Sequence, residues 1–299
     1  MGINKLKTDA GILGFFWKFI WTPIVVILAV LPLLFINVLQ LPSLFIAPFS
    51  MNLHRRYQRV VCYLVWGWWI LGVKLISGVN FAITGDDIPN SENAIVITNH
   101  QSMADIIFLL CLSYEKKAVH FTKWMIKDPI KWFPGIGWGL LFLENIFLKR
   151  NWADDSQKIE KTFHNVVHSK LPIWMLFFPE GTRRNPNKQL ANTEFGKKQK
   201  LPPLKHVLYP RPKGFLATVE GLKSHVKAVY SVTIGYPGGA PNLLSAIKGD
   251  LPLIHLHIKR TAINALPQSK KELKQWLNQD ILRKEALLEQ FALHGEFPS

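Results

Sequence analysis

The chain predicts an α/β fold that carries an apolar N-terminal segment, and three observations support this. Two short runs, residues 94–98 (Ala-Ile-Val-Ile-Thr) and 173–178 (Ile-Trp-Met-Leu-Phe-Phe), have the length and the β-branched or aromatic content of buried strands. Each runs directly into a polar turn, and the first turn opens a helical pattern over residues 102–112, as in a sheet covered by helices. The third is a stretch of 35 residues from Phe19 to Leu53 without a formal charge.

That stretch is too long for an ordinary soluble helix. A single bilayer span takes roughly 20 apolar residues, and Pro23, Pro32, Pro42 and Pro48 interrupt this one. Lys5, Lys7 and Lys18 precede it, and Arg55, Arg56 and Arg59 follow it. Cationic flanks tend to stay cytoplasmic, so the chain is expected to enter and leave by one face, as a re-entrant or hairpin insertion. Residues 60–73, with Trp66, Trp68 and Trp69, are short for a span and predict an interfacial or packing helix. The apolar region exceeds the length of a secretory signal and no small-residue cleavage site follows, so the segment is expected to remain in the mature protein. The expected division is residues 1–80 as membrane-embedded or interfacial helices and residues 81–299 as one α/β domain, enough chain for a single core.

Along that domain, residues 85–90 (Gly-Asp-Asp-Ile-Pro-Asn) form a turn cluster before the first strand. Residues 128–139 are apolar, kinked and aromatic, and Trp132 and Trp138 are candidates for guiding an acyl chain or facing lipid, against an ordinary buried loop. Residues 184–203 are polar and predict a mobile loop. Residues 270–291 read as a packing helix without a catalytic role, with an apolar stripe of Leu273, Trp276, Leu277, Ile281, Leu282, Ala286, Leu287 and Leu288. Cys62 and Cys111 are the only cysteines, both in apolar surroundings, so no disulfide framework is indicated. His255 and His257 alternate on one strand face without a carboxylate or thiol cluster, so no metal is expected.

The chemistry concentrates at the two strand ends. Asn99-His100-Gln101-Ser102-Met103-Ala104-Asp105 offers a base, because imidazole exchanges a proton near neutral pH and a nearby carboxylate fixes its tautomer. With Ser102 as N-cap, Asp105 falls at the third helical position, facing back over the turn toward His100. The same spacing also fits a capping box, in which the carboxylate only satisfies backbone N–H groups. Phe178-Pro179-Glu180-Gly181-Thr182-Arg183 offers an anion clamp: Gly181 lets backbone approach a ligand and Arg183 presents a planar fork to phosphate oxygens. In open α/β sheets ligands collect beyond the carboxyl ends of the strands, which would bring both motifs to one rim.

Here the chain resembles the glycerolipid acyltransferases, which move a fatty acyl group from a thioester to a lysophospholipid or glycerol phosphate. The resemblance runs through most of the chain. It is carried by Asn99, His100 and Asp105; by Glu180, Gly181, Thr182 and Arg183; and by residues 144–152 between them, an apolar strand ending in Lys149 and Arg150. Residues 208–215 (Leu-Tyr-Pro-Arg-Pro-Lys-Gly-Phe) and 228–233 are similar to the branch of lysophosphatidic acid and lysocardiolipin acyltransferases. Where many members carry a Val-Pro-Val-like motif, this chain has Val229-Tyr230-Ser231-Val232 without the proline, which weakens the substrate assignment more than the reaction type.

The resemblance implies a mixed sheet flanked by helices, His100 as general base with Asp105, and Glu180, Gly181, Thr182, Arg183 and Arg150 at the acceptor phosphate. Glu180 would orient the glycerol or organise the basic side chains. No cofactor is expected beyond an acyl-CoA or acyl carrier protein thioester as co-substrate. The acceptor expected is 1-acyl-sn-glycerol-3-phosphate, giving phosphatidic acid; lysophosphatidylglycerol, lysophosphatidylinositol and monolysocardiolipin fit the same motifs. A lipid hydrolase would use a Gly-x-Ser-x-Gly elbow, which is absent from the sequence, and a noncatalytic lipid-binding protein would not need His100.

Charge agrees with an anionic partner. Lys+Arg 36 against Asp+Glu 20 gives +16. Residues 183–213 hold Arg183, Arg184, Lys188, Lys197, Lys198, Lys200, Lys205, Arg211 and Lys213 against Glu194 alone. Cations near a bilayer surface are drawn to anionic head groups, and the apolar N-terminus favours a membrane over nucleic acid. The expected location is a membrane, with the active site on the cytoplasmic face and a bacterial inner membrane favoured.

Overall fold

The computed structural model describes residues 22–248 and 253–298; Lys5, Lys7 and Lys18 lie outside them. The chain divides into two compact units. One comprises the chain up to Asn80 with Pro129–Glu144 and Pro241–Pro252, and the other comprises Phe81–Asp128, Asn145–Ala240 and Leu253–Ser299.

The first unit is helical: α1 (Thr22–Gln40), the single turn α2 (Ser43–Ile46) and α3 (Met51–Ser77). Residues 60–73 are not a separate short helix. They continue a 27-residue helix whose first turns hold the arginines, because the Ser50 side chain caps it at Leu53 N–H and only Gly78, at φ 64°, ends it. The apolar seam between α1 and α3 is Ile36, Val61 and Val65. Polar ties close the connection: Gln58 Nε2 donates to Ser43 Oγ at 2.6 Å, and His54 Nδ1 lies 3.0 Å from Ser43 O.

Residues 129–144, including α5 (Ile136–Phe142), fold onto these helices. Asn37 brackets Gly135, donating to its carbonyl at 3.1 Å and accepting its N–H at 2.7 Å, and Arg55 forks onto Glu144 with bonds of 2.9–3.3 Å. Gly137 is required here, since a Cβ would sit 2.0 Å from Ile130 O. Phe45 and Phe49 are 80% and 90% exposed. Among the described residues no helix is long and apolar enough to cross a membrane.

The second unit is built on a seven-stranded sheet of order β1-β7-β6-β2-β5-β3-β4. The strands are β1 (Asn80–Gly85), β2 (Ala94–Thr98), β3 (Thr122–Lys127), β4 (Ile146–Leu148), β5 (Trp174–Phe177), β6 (Ala228–Gly235) and β7 (Leu253–Ala262). β6, β2, β5, β3 and β4 run parallel, and β7 is antiparallel to β6, so the sheet is mixed. Every residue of β2, β5 and β6 is buried, the continuous apolar run of strands covered on both faces. Its helices are α4 (Ala104–Glu115), α6 (Trp152–His168), α7 (Pro186–Gln199), α8 (Pro212–Leu222) and α10 (Lys270–His294), α9 (Leu243–Lys248) belonging to the first unit.

Two sequence expectations are corrected here. The polar stretch 184–203 is not a loop but contains α7, started by Asn185 capping Lys188 N–H with Pro186 in its first turn. α10 buries most of the proposed stripe, Leu273, Leu277, Ile281, Leu287 and Leu288 with Trp276 packed beside them, but Leu282 and Ala286 face outward, while Asp280, Lys284 and Glu285 are buried on the inner face. Charges held by partners replace apolar groups on that face.

Candidate active site

Parallel pairing sets the rim. β2 and β5 align Ile97 with Phe177, so the same register carried past both strand ends puts His100 beside Glu180. The His100 N–H donates to Glu180 Oε1 at 3.0 Å, and the Leu208 N–H donates to Oε2 at 3.2 Å. Glu180 is buried, and burial pushes its carboxyl up to about 8; the two N–H donors oppose this and Asp105 adds to it. The structure thus has Glu180 joining two backbone segments.

His100 Nδ1 lies 2.8 Å from Asp105 Oδ2. A carboxylate only accepts, so Nδ1 carries the proton and Nε2 is left basic. Among the described residues no hydrogen bond engages Nε2. The imidazole stacks on Phe178 with centroids 3.7 Å apart and planes at 15°. Asp105, fully buried, also accepts the N–H groups of Gln101 at 2.8 Å and Ser102 at 3.0 Å on Oδ2, and the Tyr236 hydroxyl on Oδ1. Capping and orienting are therefore one arrangement. α4 begins one residue later than the sequence suggests, with Met103 at the N-cap, and Ser102 Oγ accepts the Ala104 N–H at 3.1 Å.

Asn99 fixes the corner. Its side chain donates to Ile234 O at 3.1 Å and accepts Ile234 N–H at 2.8 Å, locking the end of β2 to the end of β6. The second motif is tied to the first by the Arg184 N–H, which donates to His100 O at 2.8 Å. Gly181 adopts φ 69°, and a Cβ there would approach Arg211 Cδ to 3.0 Å. Thr182 is half-buried and Arg183 exposed.

Arg150, exposed and at φ 67°, follows β4 on the same carboxyl rim as His100. β4 is three strand positions from β2, roughly 14 Å at the usual strand spacing. Trp132 and Trp138 belong to the first unit and are 73% and 45% exposed.

Sequence reading missed several supports. Tyr236 gave no signal beyond following an apolar strand. Arg211 was visible only as one cation among many, although its N–H donates to Pro179 O at 2.7 Å. From α10, Glu285 accepts the N–H groups of Lys205, His206 and Val207 at 2.6, 2.9 and 3.1 Å, fixing the strand of chain that delivers Leu208 to Glu180. Fully buried Lys284 donates to Val232 O at 2.6 Å, and burial lowers its ammonium to about 8. Burial would raise Asp280, but Lys284, Arg283 and Ser231 together hold it below its ordinary range.

A carboxylate-oriented imidazole with a basic Nε2, set beside an arginine-bearing turn on the rim of an α/β sheet, can draw a proton from a hydroxyl next to an anionic group. Fold and site are those of an α/β protein equipped for proton transfer at a hydroxyl. The acyltransferase family model matches residues 80–232 and a model of the acyltransferase C-terminus matches residues 245–299. The chain is 32% identical to 1-acyl-sn-glycerol-3-phosphate acyltransferase 2 of Brassica oleracea, over 89% of this chain and 70% of that one. It is 30% identical to lysocardiolipin acyltransferase 1 of Gallus gallus, over 86% and 68%. The 1-acyl-sn-glycerophosphate (LPA) acyltransferase PlsC from Thermotoga maritima has the same fold, with TM-score 0.52 and 19% identity over 90% of this chain and 98% of that one. The chain belongs to the acyltransferase family and is a glycerolipid acyltransferase.

Proposed function

We propose that the protein acylates the free hydroxyl of 1-acyl-sn-glycerol-3-phosphate, giving phosphatidic acid, with acyl-CoA or acyl carrier protein as donor. The observation that carries this reading is the 2.8 Å bond from His100 Nδ1 to Asp105, which leaves Nε2 basic. His100 removes the proton as the hydroxyl oxygen attacks the thioester carbonyl; the new ester bond forms, the carbon–sulfur bond breaks, and the imidazolium returns its proton to the leaving thiolate. Asp105 stabilises the imidazolium. The substrate supplies the hydroxyl, so no enzyme serine is required.

Arg183 and Arg150 bind the acceptor phosphate, with Gly181 and Thr182 letting it approach the backbone. Phe45, Phe49 and Arg56 of the first unit give an apolar and cationic surface suited to anionic lipid. Trp132 and Trp138 serve the same purpose or line the acyl chain's path. Relatives from plants and vertebrates lend no support to a bacterial inner membrane.

A second acceptor class is supported by the lysocardiolipin acyltransferases among the relatives. The test is a panel of lysophospholipids offered with acyl-CoA and with acyl carrier protein thioester, products being read by mass spectrometry. Phosphatidic acid as the main product is expected. Preference for monolysocardiolipin, or release of free fatty acid without transfer, would overturn the assignment.

A further inference from the structure

We propose that Tyr236 is a positioning residue of the acyl transfer, holding the Asp105 carboxylate so that Oδ2 stays aimed at His100. The proposal rests on His100 as the base. Tyr236 follows β6 directly and is buried at 5% exposure, its hydroxyl donating to Asp105 Oδ1. Burial first, then the charge of Asp105 and the bond to it, hold the phenol well above its ordinary value, so it acts as a donor throughout the physiological range.

Among the described residues, Asp105 Oδ2 takes three donors, the His100 ring and the N–H groups of Gln101 and Ser102, whereas Oδ1 takes Tyr236 alone. Without that hydroxyl, Oδ1 is a fully buried acceptor with no partner, and the carboxylate turns toward whichever donors can satisfy it. The Tyr236 ring is held separately, packing on Phe108 of α4 with centroids 5.9 Å apart. Tyr236→Phe therefore removes the donor and keeps the packing.

The charged neighbours are few. Asp105 faces His100 and Tyr236; the charge of Asp105 acts on Glu180, and Lys284 acts on Glu180 in turn.

The experiment compares native protein, Tyr236→Phe, Asp105→Asn, the double variant and His100→Ala, each confirmed as folded by thermal melt. Tyr236→Phe is expected to lower kcat by about tenfold to a hundredfold, the range for a mis-set reacting geometry, with KM nearly unchanged. The loss should vanish in the Asp105→Asn background, since the hydroxyl acts only through that carboxylate. A loss that is equal in both backgrounds overturns the proposal and leaves Tyr236 as packing. Activity retained by His100→Ala overturns the underlying base assignment instead. Histidine-labelled NMR gives a readout without substrate: the signal of the His100 Nδ1 proton bonded to Asp105 should shift in Tyr236→Phe, and an unmoved signal counts against the proposal.

Discussion

Two tyrosines six residues apart, Tyr230 within β6 and Tyr236 just past its end, each donate their hydroxyl to a carboxylate. Tyr230 meets Glu92, just before β2; Tyr236 meets Asp105, just after it. The third member differs. At Glu92 it is Arg260, which forks on with bonds of 2.7 and 3.2 Å; at Asp105 it is His100, at 2.8 Å. Glu92 is held below its ordinary range because Arg260 and Tyr230 outweigh its burial, and Arg260 is raised in return. A guanidinium never gives up its proton in this setting, so that cluster only joins β7 to the start of β2. Imidazole does exchange one, so the same architecture becomes able to do chemistry.

Ways to break this contrast run from large to small. Asp105→Asn keeps the shape of the His100 cluster but offers His100 the wrong partner, and, with His100 as the proposed base, acyl transfer should fall by about a hundredfold to ten-thousandfold in kcat. Steady-state kinetics at fixed acceptor concentration checks this. Arg183→Ala should instead raise acceptor KM by roughly tenfold to a hundredfold, the worth of a hydrogen bond to a charged group, with kcat little changed. Equal KM values for the two proteins would remove Arg183 from the phosphate site.

Glu180→Gln sharpens the contrast through stability. Both Glu180 oxygens accept backbone N–H groups, and an amide presents its NH2 to one of them, costing about 1–3 kcal/mol. The carboxyl is raised from 4.5 to about 8 by burial, so between those values the folded state binds more protons than the unfolded one. Its contribution is therefore present at low pH and lost as pH rises toward 8. Thermal melts across pH 5–8 should show that decline in native protein and a flatter course in the variant.

The smallest effect belongs to the other cluster. Glu92→Gln breaks a pair whose side chains are 13% and 31% exposed, and it should cost about 1 kcal/mol of stability while kcat and its pH profile stay where they were. A displaced pH profile would show that the two ends of the strands are not independent.

What was legible in the sequence followed from local rules. Residues 94–98 and 173–178 announced buried strands by content, and the five-residue spacing of His100 and Asp105 fixed their contact because a strand-to-helix corner has few shapes. Placing Glu180 against His100 needed only that β2 and β5 be parallel neighbours. α7 was misread because polar composition was weighed over the Asn185-Pro186 start signal, which is explicit in the sequence. Tyr236, Glu285 and Lys284 were out of reach: each acts on a group far away in the chain, and nothing in its own neighbours distinguishes it from a core tyrosine or a surface charge. For the same reason the apolar stripe of α10 was extended to Leu282 and Ala286, when buried hydrogen-bond partners on β6 and the 205–207 segment help decide which face turns inward.

The most direct test of His100 as the base is the rate of phosphatidic acid formation by His100→Ala beside native protein, both verified as folded by melting curve. Loss of about a thousandfold or more is expected, in line with removal of a general base. A variant that keeps activity within tenfold of native would contradict the assignment and place the proton acceptor elsewhere on the rim.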